Sequence, residues 1–491
     1  MVLAFVIFWL IREVKVMLFW LYLWQLKEYH IGRFLAHFQT AKGRRLLLNP
    51  WAGAKLILLL VVLFIPNAIF LLIPLYAVEF FLRKAPKPVF TRKIQFLTLV
   101  LLGVSLVFAF LGSLVFLLII DILTPLVVSL VVLGLQPFTV LARNRVIEQA
   151  KAKRRKMKNL KVVGITGSYG KTSTKEFLAH ILGQKFTVLK TPEHTNSEVG
   201  IANTILRSLT TEHDVFVCEM GAYGKGGIQL LADMAKPDIA IVTGVNEQHL
   251  ATFGSMENLL SAEGGRELAE ALPSDGMAFV NQTVKSKVQY ENAKCKVVYY
   301  GGAEKVKIEK EKVSFEFEGV KFEVPAYGGH NVQNLLGAIE AARKLGMSLQ
   351  EIAKAAASMP LGLGALKVKK GTNGATIIDS TYSANPDGVI ADLEYLSLYE
   401  GKRVLVMPCL IELGPAAKEA HKRIGQKIAQ VCDQAIITTK EHFEDVKEGA
   451  GQSDKIVYVE NAQEILEKIK DANAILLESR LPESLIKAVE K

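Results

Sequence analysis

Cysteine is scarce in this chain: four in 491 residues, at positions 218, 295, 409 and 432. No two form a C-x-x-C pair, and their spacings suit neither a zinc site nor a disulfide framework. A fold stapled by metal or by disulfides is therefore excluded, and scattered thiols fit core packing in a reducing cytosol. Charge is missing from long stretches. Residues 94–120 and 122–141 carry none, and residues 56–82 carry only Glu79. Low-complexity linkers and solenoid-period repeats are missing too, which excludes a tethered array. Basic patches interleaved with aromatics are absent outside one cluster, which argues against nucleic acid as a partner.

What is present is hydrophobic. Half of the residues are apolar and the mean hydropathy is +0.26, high for a soluble enzyme. Segments 56–82, 94–120 and 122–141 are each long enough to span a bilayer core. Residues 2–24 are a further candidate, either a span or an interfacial helix, interrupted by Arg12, Glu13 and Lys15. Basic residues crowd 27–55, 83–93 and 142–161, the last holding Arg143, Arg145, Lys151, Lys153, Arg154, Arg155, Lys156, Lys158 and Lys161. The positive-inside rule places all three in the cytosol, facing anionic membrane lipids. That works if 94–120 and 122–141 form a hairpin and 56–82 dips in and returns, broken at Pro66, Asn67 or Pro74; a simple four-span arrangement, the alternative, places 27–55 outside. The expectation is a multi-pass plasma-membrane protein with its remaining domains in the cytoplasm.

From about residue 160 the periodicity is that of an α/β protein. KVVGIT (161–166), FTVLK (186–190), VFVCEM (215–220), DIAIVTG (238–244) and MAFVN (277–281) read as strands separated by helical stretches. This alternation predicts a parallel sheet covered on both faces. Residues 303–326 read as a β-meander, and a second α/β unit follows from about 374. The expected domains are 1–150 in the membrane, a central α/β domain at 151–360 and a Rossmann-like domain at 361–491.

The sharpest local signal is GITGSYGKTSTKEF at 164–177. A glycine-rich turn between strand and helix lets backbone N–H groups approach phosphates, and the helix N-terminus adds partial positive charge. The strict G-x-x-x-x-G-K-[ST] spacing is not met, because position 165 is Ile165; what stands is G-x-x-G-K-T-S from Gly167 to Ser173. The candidate nucleotide-binding residues are Gly167, Ser168, Tyr169, Gly170, Lys171, Thr172 and Ser173. Lys171 can reach terminal phosphates and Thr172 can ligate Mg²⁺. A plain strand–helix turn is the alternative.

This loop resembles that of the Mur ligase family, the ATP-dependent amino-acid ligases of peptidoglycan synthesis, whose loop reads T-G-x-x-G-K-[ST]-[ST]. The resemblance continues in order through TPEHTNSEVGIAN (191–203), EMGAYGKGGI (219–228), NEQHLATFGS (246–255), GGHNVQNLLGAIEAA (328–342), IIDSTYSANPDGVIADL (377–393) and IELGPAAKEAH (411–421). The wording is closest to the branch that adds D-alanyl-D-alanine to UDP-N-acetylmuramoyl-tripeptide. The resemblance implies ATP and Mg²⁺ as cofactors and a cell-wall precursor plus an amino acid or dipeptide as substrates. It implies Lys171, Glu219 and His249 as catalytic residues, with Thr172, Glu219 and His249 at metal. Asn331, Asn334 and Asp379 would join the nucleotide site, and Thr195, Asn196, Ser197, Tyr382 and Asn385 the substrate site. Capping or packing roles remain the alternatives for Glu219, His249, Asn331 and Asn334.

The chain departs from the family in four places. Glu263 stands where the family has a lysine carbamylated by CO₂, and is expected to supply a permanent carboxylate to the metal; a solvated helix glutamate is the alternative. Ser380 replaces the second Asp of the D-D-[ST]-Y motif, and Ala365 replaces an Arg. Apolar segments stand where the family carries its UDP-binding domain. The expected activity is ATP-dependent amide-bond formation through an acyl phosphate. The alternatives are a membrane ligase of the same superfamily, acting on lipid-linked muropeptide or making poly-γ-glutamate, and a non-catalytic membrane scaffold.

Overall fold

The computed structural model describes residues 2–490 except 28, 30, 39–40, 48, 84, 194, 372–373 and 382–384. It comprises two compact units, Met1–Asn144 and Arg145–Lys491.

The first unit is helical: Val2–Leu26, Pro50–Phe64, Leu72–Leu82, Arg92–Leu111 and Leu114–Gly134 are its long elements. Among the described residues three stretches are long and apolar enough to cross a membrane: Gly43–Phe64, Arg92–Leu111 and Leu114–Gly134. The segment expected to dip and return is broken at Ile65, ahead of Pro66, and the α-helix restarts at Leu72. The expected division of 94–120 from 122–141 at Asp121 is corrected: the break falls at Gly112–Ser113. Ser113 accepts from the N–H of Phe116 at 3.2 Å and starts the new helix. Asp121 does not break that helix because it is buried against Arg12 and Lys55. The unit buries an ion cluster between two apolar clusters and is largely apolar outside. Arg12, Glu13, Lys55, Glu79 and Asp121 are buried, while Phe64 is 86% and Phe110 88% exposed.

The second unit holds three sheets. Strands β1 (Lys161–Thr166), β2 (Val188–Lys190), β3 (Val215–Glu219), β4 (Ile239–Val242), β5 (Met277–Asn281) and β6 (Lys296–Tyr300) form a parallel sheet in the order β2-β3-β1-β4-β5-β6. Its strands are apolar on both faces because both are covered. In β3, Phe216 and Cys218 enter one core and Val215 and Val217 the other. The expected meander is present as β7 (Glu304–Ile308), β8 (Val313–Phe317) and β9 (Val320–Val324). The last sheet contains β10 (Lys367–Lys370), β11 (Thr376–Ser380), β12 (Arg403–Met407), β13 (Gln434–Ile437), β14 (Ile456–Tyr458) and β15 (Ala474–Glu478), ordered β10-β11-β15-β12-β13-β14. Only β10 is antiparallel to its neighbour. The four cysteines are free and buried, as core packing requires.

The chain reverses direction across the first sheet between β1 and β3. Helix Lys171–Leu182, which follows β1, packs on the core that holds Val215 and Val217. Helix Gly227–Ala235, which follows β3, packs on the opposite core. Adjacent strands whose outgoing loops part to opposite faces leave a crevice at their carboxyl ends, where open α/β sheets bind ligands.

Candidate active site

The phosphate-loop motif fills that crevice. Gly167 and Gly170 take φ of +144° and +80°, and a Cβ on them would lie 2.0 Å from Thr243 Oγ1 and 2.3 Å from Asn334 Oδ1. Only glycine fits both the backbone and the space. Tyr169 lies flat against Gly244, and burial, with Asp387 and Glu247 nearby, pushes its phenol up to about 12. The loop is thus pinned to the end of β4, and Ser168 N donates to Gly244 O at 2.8 Å. Lys171 Nζ sits at the helix start, donating to the carbonyls of Gly167 and Ser168.

Two carboxylates flank the loop. Glu219, 3% exposed at the end of β3, accepts from Thr172 Oγ1 at 3.1 and 3.2 Å and from Asn196 Nδ2 at 3.1 Å. Behind it, the fully buried Lys175 brings its ammonium within 3.2 Å, and Glu176 and Lys190 continue the ion chain. On the other side Glu263, 2% exposed, accepts from Ser168 Oγ at 2.6 Å and faces His249 Nδ1 at 2.7 Å. Burial alone would raise the Glu263 pKa. His249, with Lys171 and Ser168, outweighs it and holds the carboxyl below its ordinary value. The solvated-glutamate alternative is excluded by this burial.

Among the described residues no three His, Cys, Asp or Glu side chains converge on one point. The four residues predicted at metal therefore sort into two pairs, Thr172–Glu219 and His249–Glu263, joined through the loop. The hydroxyl and carboxylate of the first pair are hard oxygen donors of the kind Mg²⁺ takes while keeping several waters. That donor set fits the ion.

The other predicted residues are distributed unevenly. Asn331 and Asn334 are buried beneath the loop and bonded to each other at 3.0 Å. Asn385 caps helix Pro386–Leu396 and accepts from Asn246 Nδ2 at 2.8 Å, bringing the C-terminal sheet to the loop. Asn196, expected on the substrate side, touches Glu219 at 3.1 Å. Thr195 and Ser197 flank it, Thr195 bonding to Glu193 O at 3.2 Å and Ser197 starting a helix. Asp379 bonds to Thr381 and pairs with Lys369 at 3.6 Å, with no bond to the phosphate loop among the described residues. Tyr382 lies outside the described residues.

Three features were not foreseen from sequence. Lys175 is one turn beyond Lys171, and its spacing does not show that it turns inward. Asn246 links Ser168, Asn385 and Asp387. Asp392 and Glu478 form a buried acid pair beside Ser380, whose hydroxyl donates to Asp392 Oδ2 at 2.5 Å. Burial raises both acids, and Asp392 raises Glu478 further.

An open parallel sheet with a phosphate loop at its switch point, closed by a second α/β domain, defines a nucleotide-using enzyme. The comparisons particularise it. Residues 165–342 match the Mur ligase middle domain and residues 366–477 the Mur ligase glutamate ligase domain. The UDP-N-acetylmuramoyl-tripeptide–D-alanyl-D-alanine ligase of Mycobacterium bovis is 30% identical over 344 residues, covering 65% of this chain and 67% of that protein. The Bacillus subtilis ligase of the same name is 29% identical over 326 residues, covering 63% and 70%. The MurF ligase of Thermotoga maritima, solved in complex with ADP, superposes with a TM-score of 0.63 at 25% identity, covering 71% of this chain and 83% of that one. The chain belongs to the Mur ligase family.

Proposed function

We propose that this chain is a MurF-type ligase. It joins an amino acid or dipeptide, D-alanyl-D-alanine in the first instance, to the peptide of a muramoyl precursor at the expense of ATP. A precursor carboxylate takes the γ-phosphoryl group of ATP, giving an acyl phosphate and ADP. The amine attacks the acyl carbon, the C–N bond forms as the C–O bond to phosphate breaks, and the amine proton is lost. The loop N–H groups and Lys171 neutralise the phosphates. Thr172 and Glu219 would hold Mg²⁺, which supplies further charge neutralisation. Lys175 holds Glu219 aimed at the loop from behind, and Glu263 orients Ser168 and His249.

The observation that carries this reading is the meeting of Thr172 and Glu219 at 3.1 Å across the β1–β3 switch point, directly beside Lys171. The test is a ligation assay with UDP-muramoyl-tripeptide, D-alanyl-D-alanine and ATP, read by mass. The expected product is the pentapeptide, formed with equimolar ADP and phosphate. ATP turnover that ignores both substrates would sink the assignment.

A second reading concerns the acceptor and the location. The exposed apolar side chains of residues 2–134, around a buried ion cluster, support insertion of the first unit in a membrane, with residues 145–491 in the cytoplasm. On that reading anionic lipids are partners, and a lipid-linked precursor is used better than its UDP-linked form.

A further inference from the structure

The first unit contains a buried ion cluster that ligation does not use. Arg12 bonds to Glu79 at 3.0 and 3.1 Å and to Glu13 at 3.3 Å, and it pairs with Asp121. Lys55 Nζ lies 2.6 Å from Glu79 and 3.1 Å from Asp121. Arg83, at the end of helix Leu72–Leu82, reaches Glu79 at 2.8 Å. Ionic side chains from four helices thus converge among apolar neighbours. Burying such a cluster costs more than filling the space with apolar side chains, so its presence calls for a role beyond packing.

A cavity of about 170 Å³ opens on the cluster. Its charged lining is Arg12, Lys55, Arg83, Glu79 and Asp121, three cations against two carboxylates, with Asn49 beside them. Glu13, the third carboxylate, does not line the cavity: one oxygen faces Arg12 at 3.3 Å and the other accepts from Thr124 Oγ1 at 2.7 Å. The remaining wall is largely apolar, with Val16, Trp20, Leu56 and Ile122 contributing. A floor lined by three cations and two carboxylates under apolar walls suits an amphiphile: an anionic head on the outward guanidinium and ammonium N–H groups, a hydrocarbon stem along the wall. The carboxylates hold the cations in place, and no three of them are free of cations to make a metal site.

We propose that this cavity binds the phosphate head of a hydrocarbon-chain lipid, and that the first unit in this way holds a lipid-linked acceptor. The proposal rests on the membrane reading above. Arg83 is the informative position, because its side chain is 19% exposed at a helix end and contributes less packing than Lys55, at 3%.

The test is native mass spectrometry of the full chain in non-ionic detergent, titrated separately with hexadecyl phosphate, hexadecanol and inorganic phosphate. Hexadecyl phosphate is expected to be retained, at least tenfold more weakly in Arg83→Gln and in Lys55→Gln, and unchanged in Lys158→Gln, a basic position outside the cavity. Equal retention of hexadecanol would reduce the site to an apolar cleft. Equal retention of inorganic phosphate would make it an anion site with no lipid role. Unchanged binding in a folded Arg83→Gln would overturn the assignment, whatever becomes of Lys55→Gln. Alkaline carbonate extraction of native vesicles tests the membrane reading separately. Release there would sink insertion without altering the binding result.

Discussion

At the scale of single residues, the phosphate loop and its two carboxylates can be tested independently. Lys171 is half-buried, and its ammonium bonds only to loop carbonyls among the described residues, so Lys171→Ala removes little packing. Loss of such a transition-state contact typically costs about 10²–10³ in rate. The variant is expected to melt with wild type and to lose ligation by that factor; near-normal turnover would refute the loop's role. Glu263 is a different case, since both of its oxygens are engaged, one by Ser168 and one by His249. Glu263→Gln keeps the shape and removes the charge. We expect a higher Mg²⁺ requirement, with activity indifferent to bicarbonate in both proteins. A raised KM for ATP with unchanged Mg²⁺ dependence would confine Glu263 to positioning Ser168. The sequence exposed the loop and the position of Glu263, because both depend on local spacing. It did not expose Lys175 or Asn246, whose partners lie 44 and 139 residues away at Glu219 and Asn385 and are set by strand order.

At the scale of elements, strands were legible where short apolar runs ended at turn residues. They were not where the edge is charged. Strand β10 reads KVKK and is mostly exposed, a pattern typical of a protected sheet edge and poor in apolar signal. The loop after β12 shows how a motif residue can be structural. His421, in helix Ala417–Val431, is fully buried; its Nδ1–H donates to Ala417 O at 2.6 Å, and its Nε2 accepts from Leu410 N–H at 2.9 Å. Burial, aided by His442, holds its pKa down to about 4. The folded protein therefore binds fewer protons here than the unfolded chain, whose histidine titrates near about 6.5. The stability this pin contributes is complete above that value and is lost as pH falls towards 4, at about 1.4 kcal/mol per pH unit. Melting curves of wild type and His421→Gln should accordingly converge between pH 7 and pH 5. A constant gap would show that His421 does not stay neutral in the fold.

At the scale of the whole molecule, both units bury apolar cores, but they differ in what else they bury and in what they expose. In residues 145–491 apolar side chains fill four cores and the polar groups lie at switch points and surfaces. In residues 2–134 the ions are inside and large apolar side chains such as Phe81, Leu99 and Phe110 face outward. In water this costs free energy at every outward ring; in hydrocarbon the same arrangement is stable, because lipid solvates the rings and the ions solvate one another. Sequence alone showed the apolar runs, yet it treated Asp121 as a boundary, because a partner 109 residues away at Arg12 cannot be seen along the chain. On the membrane reading, the basic stretch from Arg143 to Lys161 sets the expected orientation. Part of it is already used by the fold: Arg154 donates to Ala235 O at 2.8 Å and Lys153 to Leu206 O at 2.9 Å. Arg155, Lys156 and Lys158 remain exposed to meet an anionic surface. The expected outcome is a cytoplasmic catalytic unit. A single cysteine placed at Lys158 should resist a membrane-impermeant maleimide in intact cells and react once the cells are permeabilised, the four native thiols being buried. Labelling of intact cells at the same rate would put residues 145–491 outside, away from ATP, and would end the topological reading while leaving the geometry of the ligase site as it stands.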